Sequence, residues 1–264
     1  MTRKVRIGVV PYLNAKPLIY GLNHHTDSIE LTFEVPSLLP NMLNNDQVDV
    51  ALIPSIEYFR NDNYAIIPDI SISSIGTVES VKIFSKVPIQ NIRTAALDKS
   101  SSTSCALTKI ILKEYYHLSP QYTQWNKQYD ISSNDSDAVL LIGDNAMRVI
   151  ENGYFTLDMG QAWFEHTGLP FVYAVWVVKR GCYIPGINNL LKSAKETGIR
   201  SVKVLSETES KRLQLTQEHC FNYLTNSIRY NLGEEEIKGL QTFYQYAVSL
   251  ELAPKGVEIV FNNT

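Results

Sequence analysis

The same short unit occurs twice, about ninety residues apart. Asp49-Val50-Ala51-Leu52-Ile53 is an acidic residue followed by a compact apolar run, stopped by Pro54 and Ser55. Asp137-Ala138-Val139-Leu140-Leu141-Ile142 repeats it and is stopped by Gly143 and Asp144. An unbroken apolar run of this length reads as a strand buried on both faces, the situation of a parallel sheet covered by helices. What precedes each unit is also alike. Arg6 to Val10 is a strand ended by Pro11, and a helix with Leu18, Ile19 and Leu22 on its apolar face starts near Pro17. Ile92 to Leu97 is a strand, Asp98 to Ser104 a polar loop, and the next helix carries Leu107, Ile110, Ile111 and Tyr115 at helical spacing. Phe33 and Val35 suggest a further strand, and Ser37 is placed to cap a short helix running through Leu43. Strands alternating with helices predict an α/β protein with parallel sheets. The single repetition predicts two lobes of like topology rather than a solenoid.

With 264 residues, 44% of them hydrophobic, the chain is long enough for two lobes of ordinary size. Two β-rich runs, Val78 to Val87 and Phe171 to Val178, lie where the chain passes between lobes. They are expected to pair as crossover strands and form a hinge. Helical segments from Glu207 to Tyr230 and from Glu234 to about Leu250 are expected to return to the first lobe. The expected division is 1–82 for the first part of lobe one, 83–175 for lobe two, and 176–264 for the return strand and C-terminal helices. The cleft between lobes is the expected ligand site.

A net charge of -3 argues against a nucleic-acid surface, and no apolar run reaches membrane-spanning length. The first residues lack the pattern of an export signal, so a cytoplasmic protein is expected. Cys105, Cys182 and Cys220 form no C-x-x-C, and the five histidines are scattered apart from the pair His24 and His25, so no metal is expected. Dinucleotide, P-loop, zincin and nucleophile-elbow motifs are all missing, and no cofactor is expected.

What remains is a set of hydroxyls and amides at strand ends. Ser100-Ser101-Ser102-Thr103-Ser104 precedes a helix, whose N-terminus offers unpaired N–H donors and a partial positive charge. Five hydroxyls exceed what capping needs, which favours binding of an anion there. Asn14 follows a strand on a Pro-containing loop; it either reaches a ligand or closes the turn on its own backbone. Ser80 lies at the expected hinge, and Asp144 either faces the cleft or caps the next helix. Trp163, Phe164, Phe171, Tyr173 and Trp176 read as core and cleft wall. The residues alone describe a two-lobed binder of a small anion.

The segments Arg6-Ile7-Gly8-Val9-Val10-Pro11-Tyr12-Leu13-Asn14-Ala15-Lys16-Pro17-Leu18, Gly76-Thr77-Val78-Glu79-Ser80-Val81, Ala96-Leu97-Asp98 through Thr103-Ser104, Leu141-Ile142-Gly143-Asp144, Asp158-Met159-Gly160 with Trp163, Thr167 through Trp176 and Arg229-Tyr230-Asn231-Leu232-Gly233 resemble, in order, those of the menaquinone biosynthesis family that includes chorismate dehydratase. Pro11-Tyr12-Leu13-Asn14 resembles the dehydratase branch; the sister enzyme acting on a cyclised futalosine opens with a Ser-Pro-Cys-Pro-Asn-type loop. Ser102 stands where the resembling loops carry Arg. The resemblance implies a periplasmic-binding-protein-like fold of type II with two crossover hinge strands, and conversion of chorismate to 3-[(1-carboxyvinyl)oxy]benzoate with loss of water. It implies that Asn14 and Ser80 act on the substrate, and that Tyr12, Ser55, Gly76, Ser101, Ser102, Thr103, Ser104, Gly143 and Asp144 bind it.

Overall fold

The structure is a computed structural model that describes residues 3–125 and 131–263. In chain order the strands are β1 (Val5–Val9), β2 (Ile29–Phe33), β3 (Val50–Pro54), β4 (Tyr64–Ser74), β5 (Val81–Ser85), β6 (Thr94–Asp98), β7 (Gln121–Trp125), β8 (Ala138–Ile142), β9 (Phe155–Asp158) and β10 (Phe171–Lys179). The α-helices are α1 (Lys16–Ile19), α2 (Leu39–Asn44), α3 (Ser55–Phe59), α4 (Ser102–Ile110), α5 (Gly143–Arg148), α6 (Met159–Thr167), α7 (Ile187–Arg200), α8 (Val202–Leu213), α9 (Gln217–Asn222) and α10 (Glu234–Ser249).

Two five-stranded sheets are ordered β2-β1-β3-β10-β4 and β7-β6-β8-β5-β9. In each, three parallel strands are followed by an antiparallel fourth, β10 in one and β5 in the other. The sequence repeat therefore marks equivalent strands, β3 and β8. Its acidic residue has the same task both times. Asp49 accepts the Arg6 N–H at 2.8 Å, and Asp137 accepts the Arg93 and Thr94 N–H groups at 2.8 and 2.9 Å. Each carboxylate thus pins the entry of the neighbouring parallel strand. The Arg93 N–H leads in holding Asp137 below the usual carboxylate range. Burial alone would raise Asp49, but its hydrogen bonds and charge pairing with Arg6 outweigh that and lower it.

The crossovers differ from expectation. Val78 to Val87 and Phe171 to Val178 do not pair with one another. β10 lies between β3 and β4, whereas β5 lies between β8 and β9. The expected boundaries at 82/83 and 175/176 fall inside β5 and β10, each of which sits whole in one sheet. β4, a strand that the sequence pattern does not announce, is the partner of the run Phe171 to Val178. Ser37 makes no cap: α2 begins after Leu38 with no side-chain acceptor at its start. The helical stretch expected from Glu207 divides into α8, α9 and a π-turn at Tyr223–Ser227.

The two passages between sheets meet at Asp158. Its carboxylate accepts the Val78 and Glu79 N–H groups of the first passage at 3.0 and 2.7 Å. It also accepts the Gly160 and Gln161 N–H groups at the start of α6, both at 3.0 Å. Gly160 has no room for a side chain, because a Cβ there would lie 2.6 Å from the Gly76 carbonyl oxygen and 2.7 Å from the Tyr173 hydroxyl. The core is continuous from sheet to sheet, with Ile7, Leu52, Tyr58, Trp163 and Trp176 fully buried.

Candidate functional site

Between the sheets is a cleft of about 530 Å³, including its space open to solvent. Of the expected residues, Tyr12, Asn14, Ser80, Ser101, Ser104 and Gly143 line it. Tyr12, Ser80 and Gly143 stand where a strand or crossover ends, Asn14 lies in the short 3-10 turn Leu13–Ala15 after β1, and Ser101 and Ser104 are at the start of α4. Gly143, with φ +62°, lets the Tyr12 ring lie directly on its backbone; a Cβ would be 3.0 Å from Tyr12 Cδ1. Its N–H donates to the Ser80 carbonyl at 2.7 Å, locking the two cleft loops together.

Ser55, Gly76, Ser102, Thr103 and Asp144 do not line the cleft. Ser55 Oγ donates to the Val172 carbonyl at 2.7 Å and lies 3.4 Å from Thr103 Oγ1. Thr103 Oγ1 accepts the Ile56 N–H at 3.1 Å, so it caps α3 of the opposite lobe. Gly76 is buried, with φ +76°, beside Gln161. Asp144 neither lines the cleft nor caps the helix that follows it: its two oxygens take the Leu13 N–H and Arg212 Nη2, both at 2.9 Å.

The five hydroxyls of the loop are therefore divided. Ser100 turns back to Asp98, donating through N at 2.9 Å and Oγ at 2.6 Å. Ser101 caps α4, and its Oγ lies 2.9 Å from Ser104 Oγ. Thr103 serves α3, and Ser102 Oγ is buried with no hydrogen-bond partner. Of these five, only Ser101 and Ser104, at the start of α4, line the cleft.

Sequence reasoning assigned Tyr173 to core and cleft wall, and it lines the cleft, held at 3.1 Å from Ser74 Oγ. It missed Tyr223, whose hydroxyl donates to Ser80 Oγ at 2.8 Å. Burial pushes both phenols far above their usual range. No local signal marks Tyr223, which lies more than a hundred residues from Ser80.

The described lining contains no Asp, Glu, His, Lys or Arg. Its polar atoms are hydroxyls, one carboxamide and backbone groups. Such a cleft can hold an anion by oriented neutral dipoles, and it offers no side-chain base that works near neutral pH. Among the described residues no cluster of potential metal ligands occurs, and no helix is long and apolar enough to cross a membrane.

Two like-topology lobes, crossover passages and a cleft between them define the periplasmic-binding-protein-like class. The periplasmic aliphatic sulphonate binding protein of Escherichia coli superposes with a TM-score of 0.68 at 14% identity, covering 100% of this chain and 94% of that one. The narrower kinship comes from sequence. The model of a family described as menaquinone biosynthesis matches residues 5–249, and the chain belongs to that family. A chorismate dehydratase of Thermus thermophilus is 31% identical, over 94% of this chain and 96% of the relative. A chorismate dehydratase of Campylobacter jejuni is 26% identical, over 93% of this chain and 99% of the relative.

Proposed function

We propose that the chain is a cytoplasmic carbon–oxygen lyase, a chorismate dehydratase, that converts chorismate to 3-[(1-carboxyvinyl)oxy]benzoate and water in the interlobe cleft. The observation that carries this reading is the cleft's chemistry: donors suited to carboxylates, and no side-chain base. Chorismate bears two carboxylates and supplies its own base. The hydrogen at C3 is acidified through the conjugated ring carboxylate, and the enolpyruvyl carboxylate on the C3 oxygen lies within reach of it. In the proposed reaction that carboxylate takes the C3 proton. The C3–H electron pair becomes a ring double bond as the C4–O bond breaks. The departing oxygen regains one proton, so the net change is one water lost and an aromatic ring formed.

The protein's share is orientation and charge stabilisation. Asn14 and Ser80 hold the enolpyruvyl carboxylate over C3. Ser101, Ser104 and the α4 N-terminus hold the ring carboxylate, on which negative charge grows as the proton leaves. Tyr12 and Tyr173 flank the ring. Asp144 supports the cleft from outside through Leu13 rather than touching substrate.

The test is incubation of purified protein with chorismate and no added cofactor, following the diene absorbance and the product mass. A product lighter by one water, with Asn14→Ala and Ser80→Ala slowed on the order of 100-fold, is the expected result. Binding of chorismate without turnover would reduce the protein to a carboxylate binder. Full turnover in Asn14→Ala would overturn its assigned role.

A further inference from the structure

Ser80 is approached from behind, on the side away from the cleft. Tyr223 opens the π-turn that follows α9, a helical irregularity that recurs at functional sites. It is 1% exposed and does not line the cleft, yet its hydroxyl donates to Ser80 Oγ at 2.8 Å. The phenol proton is therefore given to Ser80.

The consequence lies at Ser80. A serine hydroxyl both donates and accepts, and it turns to suit its neighbours. With a lone pair occupied by Tyr223, its proton is directed away from the phenol. The serine backbone is occupied as well: its N–H goes to the Val78 carbonyl at 2.7 Å, and its carbonyl accepts the Gly143 N–H. The hydroxyl proton is left for the cleft.

We propose that Tyr223 is a positioning residue that fixes Ser80 as a hydrogen-bond donor toward the bound carboxylate. The proposal rests on the reading of Ser80 given above. Without the phenol hydroxyl, nothing holds the Ser80 proton to that direction, and the fraction of bound substrate held productively falls.

The test is a double-mutant cycle on single-turnover rates, with protein in excess so that slow variants are measurable. Tyr223→Phe keeps the ring and removes one neutral hydrogen bond, and its rate is expected to fall by about three- to tenfold. In the Ser80→Ala background the same substitution is expected to change the rate less than twofold, because the residue acts through Ser80. Site-specific replacement of Tyr223 by 3-fluorotyrosine retains a hydroxyl donor and is expected to match or exceed the wild-type rate. That variant decides the matter if Tyr223→Phe folds poorly. Equal losses in both backgrounds would reduce Tyr223 to packing, and so would a wild-type rate in Tyr223→Phe. Wild-type turnover in Ser80→Ala would instead break the reading of Ser80 itself, so the two failures are distinguishable.

Discussion

Where α3 meets α4, the lobes are joined by hydroxyls; where α1 and α8 meet α5, they are joined by charges. The first junction consists of Ser55, Thr103 and the Ile56 N–H, with the Ser37 N–H donating to the Ser100 carbonyl at 3.2 Å alongside. Ser55 and Thr103 are completely buried. The second consists of Asp144 on the Leu13 N–H and Arg212, Arg212 on Glu209 at 2.6 Å, and Glu209 on Lys16 at 3.1 Å. Arg148 adds a bond to the Leu213 carbonyl at 2.8 Å. The difference follows from the neighbourhood. The hydroxyl junction shares its loop with Ser101 and Ser104, so a fixed charge there would sit beside the proposed carboxylate site. The ionic junction stands behind Gly143 and Leu13, where each charge is met by an opposite one before it reaches the cleft.

Removing one member from each junction separates them. Asp144→Ala is expected to cost the most, about 2–3 kcal/mol in urea unfolding, because it strips both the Leu13 N–H and Arg212. Since Arg212 is half exposed and regains water, a loss above that range would show that the ionic junction is tighter than its geometry indicates. Thr103→Val keeps the shape but orphans the Ile56 N–H, and is expected to cost about 1 kcal/mol. A Thr103→Val loss equal to that of Asp144→Ala would erase the contrast. The smallest effect is in salt. Between low and high ionic strength, the gap between wild type and Asp144→Ala should narrow by a few tenths of a kcal/mol, while the Thr103→Val gap stays constant. Identical salt slopes would mean that the charges at the second junction contribute nothing.

The parts of the molecule legible in the sequence were those written in local chemistry. β3 and β8 are apolar runs between punctuation marks, and Tyr12, Asn14, Ser80 and Gly143 reach the cleft because they follow strand ends or crossovers. β4 was illegible because Pro68 and Asp69 interrupt it. They read as a turn but act as a bulge, with Asp69 at φ +66° and the register against β10 shifted between Val175 and Val177. The hydroxyl loop misled for another reason. Its composition announces donors but not their directions, and tertiary packing gave Ser100 to Asp98 and Thr103 to α3. Asp144 stands at a strand end as a catalytic carboxylate does; only the arrival of Arg212 from α8 shows that it is structural. Tyr223 illustrates the general limit, since its partner is set by how the C-terminal helices return.

The grip of Asp158 on both passages has a mechanical consequence. One carboxylate holds the N–H groups of residues 78 and 79 together with those of residues 160 and 161, and the absent side chain at Gly160 lets the two strands of the linkage touch. The linkage therefore behaves as a pin rather than as two independent tethers. Separating the two passages would break the bonds from residues 78 and 79, while those from residues 160 and 161, the cap of α6, travel with Asp158. Ser80 is the next residue after Glu79, so the carboxylate that joins the passages also fixes the backbone from which the Ser80 side chain projects.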